Sequence, residues 1–241
     1  MDPKRFYNEE MPQKLGEDYE RARWHSNAFQ ESQYGMMRDV MRRVVLPRVS
    51  GAGTVLEVGP GQGTWTRFLF EASPTARYTL VDISAEMLAR AQANLPHGFP
   101  VSFIESDFLA FNPPERFDAL LSSRAIEYMP DKAAVAAKIA SLLAPGGRAI
   151  LITKMPKRFF DSLSGRKLSE LHQGQIAPSA LARFLTDAGL RVSEVRMATA
   201  TVPGFKSAFL NRLAFSLLSR LPLTPLTAPF AESYAVVAER I

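Results

Sequence analysis

The chain has 241 residues, 46% of them hydrophobic, and a formal net charge of +5. This length and composition suit one large domain with its own hydrophobic core. The absence of cysteine excludes disulfides, thiolate zinc sites and a cysteine nucleophile, and three histidines (His25, His97 and His172) give no reason to expect a His-rich metal site. No run reaches the ~18 apolar residues that a membrane helix needs, and the polar first residues show no secretory pattern, so we expect a cytoplasmic protein.

Positive charge is concentrated late in the chain. Residues 151–220 contain eleven lysines and arginines against four acidic residues. A local basic region indicates an anionic partner, such as a phosphate, a nucleic acid or an acidic membrane surface. A solvated surface that is merely basic is an equally good interpretation at this point.

The predicted secondary structure begins with a helical segment and continues as strands that alternate with helices. From about Asp18 to Val45 apolar residues recur at helical spacing. Strands are predicted at residues 54–59, 77–83, 100–107, 117–123, 148–154, 191–199 and 233–240. Helices are predicted at residues 64–72, 84–95, 131–147 and 179–190, with a long insertion at 203–230. Strands separated by helices of this length indicate parallel βαβ units with helices on both faces of the sheet.

A glycine-rich turn follows the first predicted strand. Gly59, Gly61 and Gly63 lie there, where glycines let the backbone approach a ligand and a helix N-terminus offers free N–H groups. Their spacing is G-x-G-x-G, which differs from the G-x-G-x-x-G of NAD sites. Glu57, two residues before the first glycine, favours a ligand with a cationic amine, because a carboxylate there would repel a pyrophosphate.

Two further acids lie at the carboxyl ends of the second and third predicted strands. Asp82 is placed to accept hydrogen bonds from both hydroxyls of a ribose. Asp107 is placed to accept from the exocyclic amine of adenine, with the N–H of Phe108 near a ring nitrogen. Together with Glu57, these acids lie at the carboxyl ends of successive strands, where open α/β sheets bind ligands. The pattern predicts a ligand that contains adenosine.

These motifs resemble those of the class I S-adenosylmethionine-dependent methyltransferases, of the broad type-11 kind. "VLEVGPGQG" resembles the glycine motif of that family, "LVDISAEML" its ribose-binding segment, and "ESDF" its adenine-contacting motif. "FDALLSSRAIEYMPD" resembles the fourth-strand motif, and "LLAPGGRAILIT" the helix, turn and strand that follow. The resemblance covers residues 50–155, and "PSALARFLTDAGLRV" extends it toward residue 195.

The resemblance implies an α/β fold with a Rossmann-like, doubly wound, seven-stranded sheet, mostly parallel with an antiparallel last strand. It implies an N-terminal helical lid at residues 1–50, a methyltransferase domain at 51–241 and a helical insertion at 203–230. The implied cofactor is S-adenosyl-L-methionine, with S-adenosyl-L-homocysteine as its product. The expected cofactor contacts are Glu57, Gly59, Pro60, Gly61, Gly63, Asp82, Ile83, Met87, Asp107, Phe108 and Ser123.

Methyl transfer requires an acceptor held in line with the methyl group, and a base only if the acceptor must lose a proton. Where many relatives have Glu-His after the fourth strand, this chain has Glu127-Tyr128, so one candidate imidazole is missing. The candidate catalytic residues are therefore His25, Tyr128 and His172, although a lone histidine or tyrosine is more often structural. Arg124 is a candidate for holding an anionic acceptor or the cofactor carboxylate, or else for pairing with Glu127.

Two segments outside these motifs are expected to shape the acceptor site. The N-terminal helix is expected to cover the cofactor and to pack on the edge of the sheet, with Tyr7 and Tyr19 as candidates for orienting an acceptor. In residues 203–230, apolar side chains extend over more than half of a helix that also carries basic residues. Four alternative roles fit such a helix: packing on its own domain, lining an apolar acceptor pocket, forming a dimer, or lying on a membrane surface.

The expected function is methylation of an O, N or C atom of a small-molecule or lipid-linked acceptor, with an anionic acceptor as one option. The alternatives are an RNA methyltransferase and a non-catalytic S-adenosylmethionine-binding protein. "SSRAIEY" stands where an Asn-Pro-Pro-Tyr-type motif would favour RNA, and the intact cofactor motifs argue against a scaffold. We expect a monomer or a homodimer, with peripheral membrane contact as an option and without a nucleic-acid partner.

Overall fold

A seven-stranded sheet forms the centre of the protein in the computed structural model, which describes residues 2–11, 13, 19–156, 174–203, 205 and 207–241. The strands are β1 (Thr54–Val58), β2 (Arg77–Asp82), β3 (Val101–Glu105), β4 (Phe117–Ser123), β5 (Leu143–Lys154), β6 (Leu190–Ala200) and β7 (Ala231–Arg240). Their order is β3-β2-β1-β4-β5-β7-β6, and β7 is antiparallel to both of its neighbours. The predicted Rossmann-like, doubly wound, mostly parallel sheet with an antiparallel last strand is confirmed.

Helices cover both faces of this sheet. They are α1 (Pro3–Arg5), α2 (Tyr19–Trp24), α3 (Ala28–Val40), α4 (Leu46–Val49), α5 (Thr66–Ala72), α6 (Ala85–Asn94), α7 (Lys132–Leu142), α8 (Pro178–Asp187) and α9 (Ala208–Leu218). A π-helical turn at Phe6–Glu10 follows α1, and another at Met41–Val45 joins α3 to α4. One apolar core lies under α3 to α6 and α9, and a second lies under α7 and α8. None of the helices in the described ranges is long and apolar enough to cross a membrane.

Polar caps explain where several helices begin. The Ser84 hydroxyl accepts a hydrogen bond from the Met87 N–H at 3.1 Å and thereby starts α6, as the sequence predicts. The Asn27 side chain accepts from the Gln30 N–H at 3.0 Å and starts α3. The predicted helical stretch from Asp18 to Val45 is consequently divided at residues 25–27, because asparagine satisfies free N–H groups better as a cap than inside a helix.

The connections on either side of β1 create a topological switch point. β1 pairs in parallel with β2 on one side and with β4 on the other, so successive units extend the sheet in opposite directions. The turns after β1 and β4 therefore diverge from a common crevice at the carboxyl edge of the sheet. In open α/β sheets such a crevice is where ligands bind.

The turn after β1 comes very close to the segment after β4. A Cβ atom on Gly59 would lie 2.4 Å from the Cβ of Ala125, and the φ angle of Gly59 is +69°. Gly61 also has a positive φ, +58°, but a Cβ there would meet nothing within 4 Å. Gly59 is thus required by both backbone conformation and close packing, whereas Gly61 is required by backbone conformation alone.

Gly59→Ala is expected to lower the free energy of unfolding by about 3 kcal/mol or more, because it combines a strained φ with a steric overlap. Gly61→Ala is the matched control, and its strain alone should cost about 1–2 kcal/mol. Urea denaturation of both variants measures the difference. Equal losses would show that the approach to Ala125 is not a constraint.

Candidate active site

A cavity of about 430 Å³ lies at the topological switch point. Its walls come from the turns after β1, β2, β3 and β4 and from the N-terminal segment. This volume falls in the range of about 300–1,000 Å³ that is usual for small-molecule sites. Nine of the eleven predicted cofactor residues line it, namely Gly59, Pro60, Gly61, Asp82, Ile83, Met87, Asp107, Phe108 and Ser123.

Asp82 joins two of the cavity walls. Its Oδ1 atom accepts a hydrogen bond from the Ser84 N–H at 3.0 Å, and its Oδ2 atom accepts from the Gly61 N–H at 3.3 Å. Burial raises the pKa of Asp82 to about 6. The carboxylate therefore fixes the glycine turn against the end of β2 while it borders the cavity.

The other two predicted cofactor residues lie off the cavity wall. The Glu57 side chain is buried, and its Oε2 atom accepts a hydrogen bond from the Thr66 hydroxyl at 2.7 Å. Glu57 therefore connects β1 to the first turn of α5, and burial raises its pKa to about 7. Gly63 faces Leu95, whose side chain would lie 3.0 Å from a Cβ atom at this position. The sequence pattern gave no sign of the direction in which either residue faces.

Ser123, at the end of β4, presents an unused polar atom to the site. Its Oγ atom is buried and has no hydrogen-bond partner among the described residues. A buried hydroxyl without a partner costs about 1–3 kcal/mol, so such atoms in native proteins call for an explanation. Because Ser123 also lines the cavity, a bound polar ligand is the explanation that fits its position.

Asp107 is exposed at the mouth of the cavity, next to a buried Phe108. The Asp107 Oδ1 atom accepts a hydrogen bond from the Leu109 N–H at 2.8 Å, which shapes the turn after β3. The two residues thus bring a carboxylate and an apolar ring to the same wall, the arrangement expected beside a purine base.

The N-terminal segment closes one side of the cavity. Six of its residues line the wall, namely Asp2, Pro3, Tyr7, Tyr19, Arg23 and Trp24. Polar contacts tie this segment to three different elements of the domain, and they join Lys4 to Glu105 at 2.7 Å, Asn8 to Ser84 at 2.6 Å and Glu20 to Arg67 at 2.9 Å. By contrast, α3 packs its buried face against the sheet core. Described residues before residue 25 therefore line the cavity, whereas α3, after residue 27, packs on the domain.

Two tyrosines from distant parts of the chain meet in the cavity wall. The hydroxyl groups of Tyr7 and Tyr128 are 2.7 Å apart, and their rings are in edge contact at 5.8 Å. Burial raises the pKa of Tyr128 to about 12, and it raises the pKa of Tyr7 still further above its ordinary value. Burial also raises the pKa of Tyr19, the third tyrosine of the wall. At neutral pH these phenols keep their protons and act as hydrogen-bond donors.

Arg124 combines an unusual backbone with a buried ion pair. It is the one non-glycine residue in the described ranges with a positive φ, 68°. Its Nε atom donates to both carboxylate oxygens of Glu127, at 3.2 and 3.0 Å, and the Glu127 side chain is fully buried. The pairing with Glu127 that the sequence allowed is present, and Arg124 lines the cavity as well. Strained backbone of this kind concentrates at functional sites.

The structure places the candidate catalytic residues Tyr128 and His25 differently relative to the cavity. Tyr128 lines the cavity. His25 is exposed and contacts the ring of Tyr34 at 5.0 Å, away from the cavity wall. His172 lies outside the described residues. The insertion at 203–230 contributes none of its described residues to the cavity wall.

Arg23 and Trp65 are among the wall residues that were not singled out from the sequence. Arg23 lies four residues after Tyr19 on α2 and hence on the same face, a spacing that could have indicated it. Its guanidinium carbon lies 4.5 Å from the centroid of the Trp24 ring. Trp65 directly follows the glycine turn and contacts Trp24 at 5.6 Å, so two indoles from separate segments join at the wall.

Part of the chain is similar to known methyltransferases. Residues 55–147 match a family model described as a methyltransferase domain. Trans-aconitate 2-methyltransferase from Azoarcus sp. (strain BH72) is 35% identical over 133 residues, which is 55% of this chain and 49% of that protein. The enzyme of the same name from Enterobacter sp. (strain 638) is 31% identical over 140 residues, which is 56% of this chain and 52% of that protein. The chain thus spans about half the length of the curated relatives it matches.

Solved structures share the architecture over nearly the whole chain. Magnesium protoporphyrin IX methyltransferase from Synechocystis PCC 6803, with S-adenosyl-L-homocysteine bound, has a TM-score of 0.64 at 18% identity and covers 99% of this chain and 97% of its own. N-methyltransferase NodS from Bradyrhizobium japonicum WM9, in complex with the same compound, has a TM-score of 0.63 at 16% identity and covers 97% and 98%. At these identities the likeness shows the fold. Within this fold, residues 55–147 match the methyltransferase-domain model.

The buried Glu57 carboxyl should make stability depend on pH. Folding raises its pKa, so the folded state holds this proton more tightly than the unfolded state, and the resulting stabilisation is lost as the pH rises from about 4.5 to about 7. Relative to Glu57→Gln, the wild-type free energy of unfolding should therefore fall by about 3 kcal/mol over that interval. Urea denaturation at a series of pH values measures it. Glu71→Gln, an exposed position on α5, the helix that Glu57 contacts through Thr66, is the control and should run parallel to the wild type.

Proposed function

We propose that this protein binds S-adenosyl-L-methionine and methylates a small-molecule acceptor. The observation that carries the proposal is the position of Asp82, whose carboxylate joins the glycine turn to the end of β2 on the wall of the cavity. The methyltransferase-domain match and the names of the relatives support it.

The residues of the cavity suit this cofactor. Asp82 would receive the ribose hydroxyls, Asp107 and Phe108 the adenine, and the Ser123 hydroxyl a polar group beside the end of β4. The turn at Gly59 and Gly61 gives the backbone close access to the ligand. When bound, S-adenosylmethionine supplies a methyl group on a positively charged sulfur, which a nucleophile can attack directly.

The N-terminal segment acts as a lid in this proposal, within the predicted boundary of residues 1–50. Tyr7, Tyr19 and Trp24 place aromatic surface over the cavity, which excludes water from the reacting groups. The ties to Glu105, Ser84 and Arg67 hold the lid on the elements that carry the glycine turn and the acids.

The acceptor we propose carries a carboxylate that is methylated on oxygen. Arg23 and Arg124 bring positive charge to the wall, and the buried phenols are donors rather than bases. The described part of the wall contains no histidine. A carboxylate has already lost its proton at neutral pH, so it needs cations and donors to orient it and no base. The curated relatives are named for methylating trans-aconitate, which fits this acceptor class.

Asp82→Ala is expected to abolish measurable S-adenosylmethionine binding in isothermal titration calorimetry, because it removes the proposed ribose acceptor and releases the glycine turn. Asp187→Ala, at the end of α8, is the control and should bind like the wild type. Thermal melting verifies that both variants fold. Unchanged affinity in Asp82→Ala would refute the assignment of this cavity to the cofactor.

Arg23→Gln is expected to raise the KM for trans-aconitate, used as a probe acceptor, by at least about tenfold, since it removes a charged hydrogen-bond donor. The affinity for S-adenosylmethionine should stay unchanged. Arg21→Gln, on the same helix but off the cavity wall, is the control.

The kcat should vary little between about pH 6 and 9, as the acceptor needs no base. An inflection near pH 6.5 that disappears in His172→Ala would contradict a reaction without a base.

A further inference from the structure

Exposed apolar side chains are concentrated in one segment of the chain, outside the cavity. Among the described residues, eight large hydrophobic side chains are exposed, and six of them lie between residues 205 and 226. Their exposed fractions are 58% for Phe205, 73% for Phe209, 45% for Leu213, 65% for Leu217, 48% for Leu221 and 86% for Leu226. Large apolar side chains gathered in this way on a surface mark an interaction site.

The helix α9 gives this surface its geometry. Phe209, Leu213 and Leu217 follow one another at a spacing of four residues, so they form one row along the helix, which we call the α9 row. The opposite side of α9 is fixed on α3 and β6, because Phe215 and Asn211 are buried there. The Asn211 Oδ1 atom accepts a hydrogen bond from the Val202 N–H at 2.7 Å, which locks the helix against rotation.

Two exposed arginines flank the α9 row. Arg212 and Arg220 are exposed on the same segment, each three residues after a member of the row. Arg43, from the turn after α3, donates to the Ser219 hydroxyl at 3.2 Å, and its guanidinium carbon lies 5.5 Å from the centroid of the Phe215 ring, so it is on the covered side of α9. None of these three arginines forms an ion pair with a carboxylate in the described ranges. The uncovered face is consequently apolar along the α9 row, with the positive charges of Arg212 and Arg220 next to it.

We propose that this surface docks on an anionic lipid membrane, with α9 lying in the plane of the lipid–water interface. An interfacial helix inserts an apolar face among the acyl chains while basic residues meet anionic headgroups. A second copy of the chain fits less well, because a twofold interface would bring the arginines of one copy against those of the other. A nucleic acid would match the charge but would leave the α9 row in water. The inference does not depend on the proposed methyl transfer.

The test uses the whole chain and vesicle flotation. Binding is expected to vesicles of mixed phosphatidylserine and phosphatidylcholine, to weaken as salt is added, and to be much weaker with phosphatidylcholine alone. Phe209→Ser/Leu217→Ser should lower the partition coefficient on the mixed vesicles by at least about tenfold. Ile241→Ser is the matched control, since Ile241 is 87% exposed but lies at the other end of the last strand.

The charge is tested separately. Arg212→Gln/Arg220→Gln should lower binding to the mixed vesicles by about tenfold or more, whereas Arg116→Gln/Arg148→Gln, at exposed positions elsewhere, should not. Because all these side chains are exposed, the variants should melt like the wild type. Absence of vesicle binding, or binding that survives Phe209→Ser/Leu217→Ser, would overturn the proposal. So would a dimer in size-exclusion chromatography that this double substitution dissociates, as it would show that a second copy covers the face.

Discussion

The whole site depends on a contact between two backbone segments at the middle of the sheet. The turn after β1 reaches the segment after β4 so closely that a single Cβ atom on Gly59 would overlap Ala125. This approach brings the glycine turn, the end of β4 and the carboxylate of Asp82 to the same crevice. Switch points of parallel sheets often bind ligands, but here the absence of one side chain makes the crevice possible.

The order of the strands also separates the charges of the cavity. Asp82 and Asp107 follow β2 and β3, on one side of β1, whereas Arg124 follows β4 on the other side. The acidic end suits the hydroxyl and amine groups of a nucleoside, and the end with Arg124 suits an anion. The buried Glu127 balances part of the positive charge and holds the strained Arg124 in place. One topology thus provides two chemically different halves of a site for two substrates.

The segments at the two ends of the chain have separate roles in this structure. The N-terminal segment contributes side chains to the cavity wall and is tied to the domain by polar contacts. The segment around α9 lies against α3 and β6, contributes none of its described residues to the cavity, and presents its uncovered face to solvent. The proposed lid and the proposed membrane surface are therefore different parts of the molecule and can be altered independently.

By itself the sequence determined the elements and the order of the motifs, because these depend on neighbouring residues. The alternation of apolar runs and turns predicted all seven strands, and β4 has the predicted bounds, Phe117–Ser123. Only the tertiary structure decided which residues from distant segments meet. Tyr7 forms a hydrogen bond with Tyr128, 121 positions away in the sequence. Glu57 accepts a hydrogen bond from Thr66. Arg124 donates to Glu127 and also lines the cavity. In the same way, the apolar pattern of α9 indicated an amphipathic surface. The contacts of α9 with α3 and β6 decided which of its faces is covered. Side-chain periodicity shows only that a helix has different faces, and the tertiary contacts determine which of them is buried.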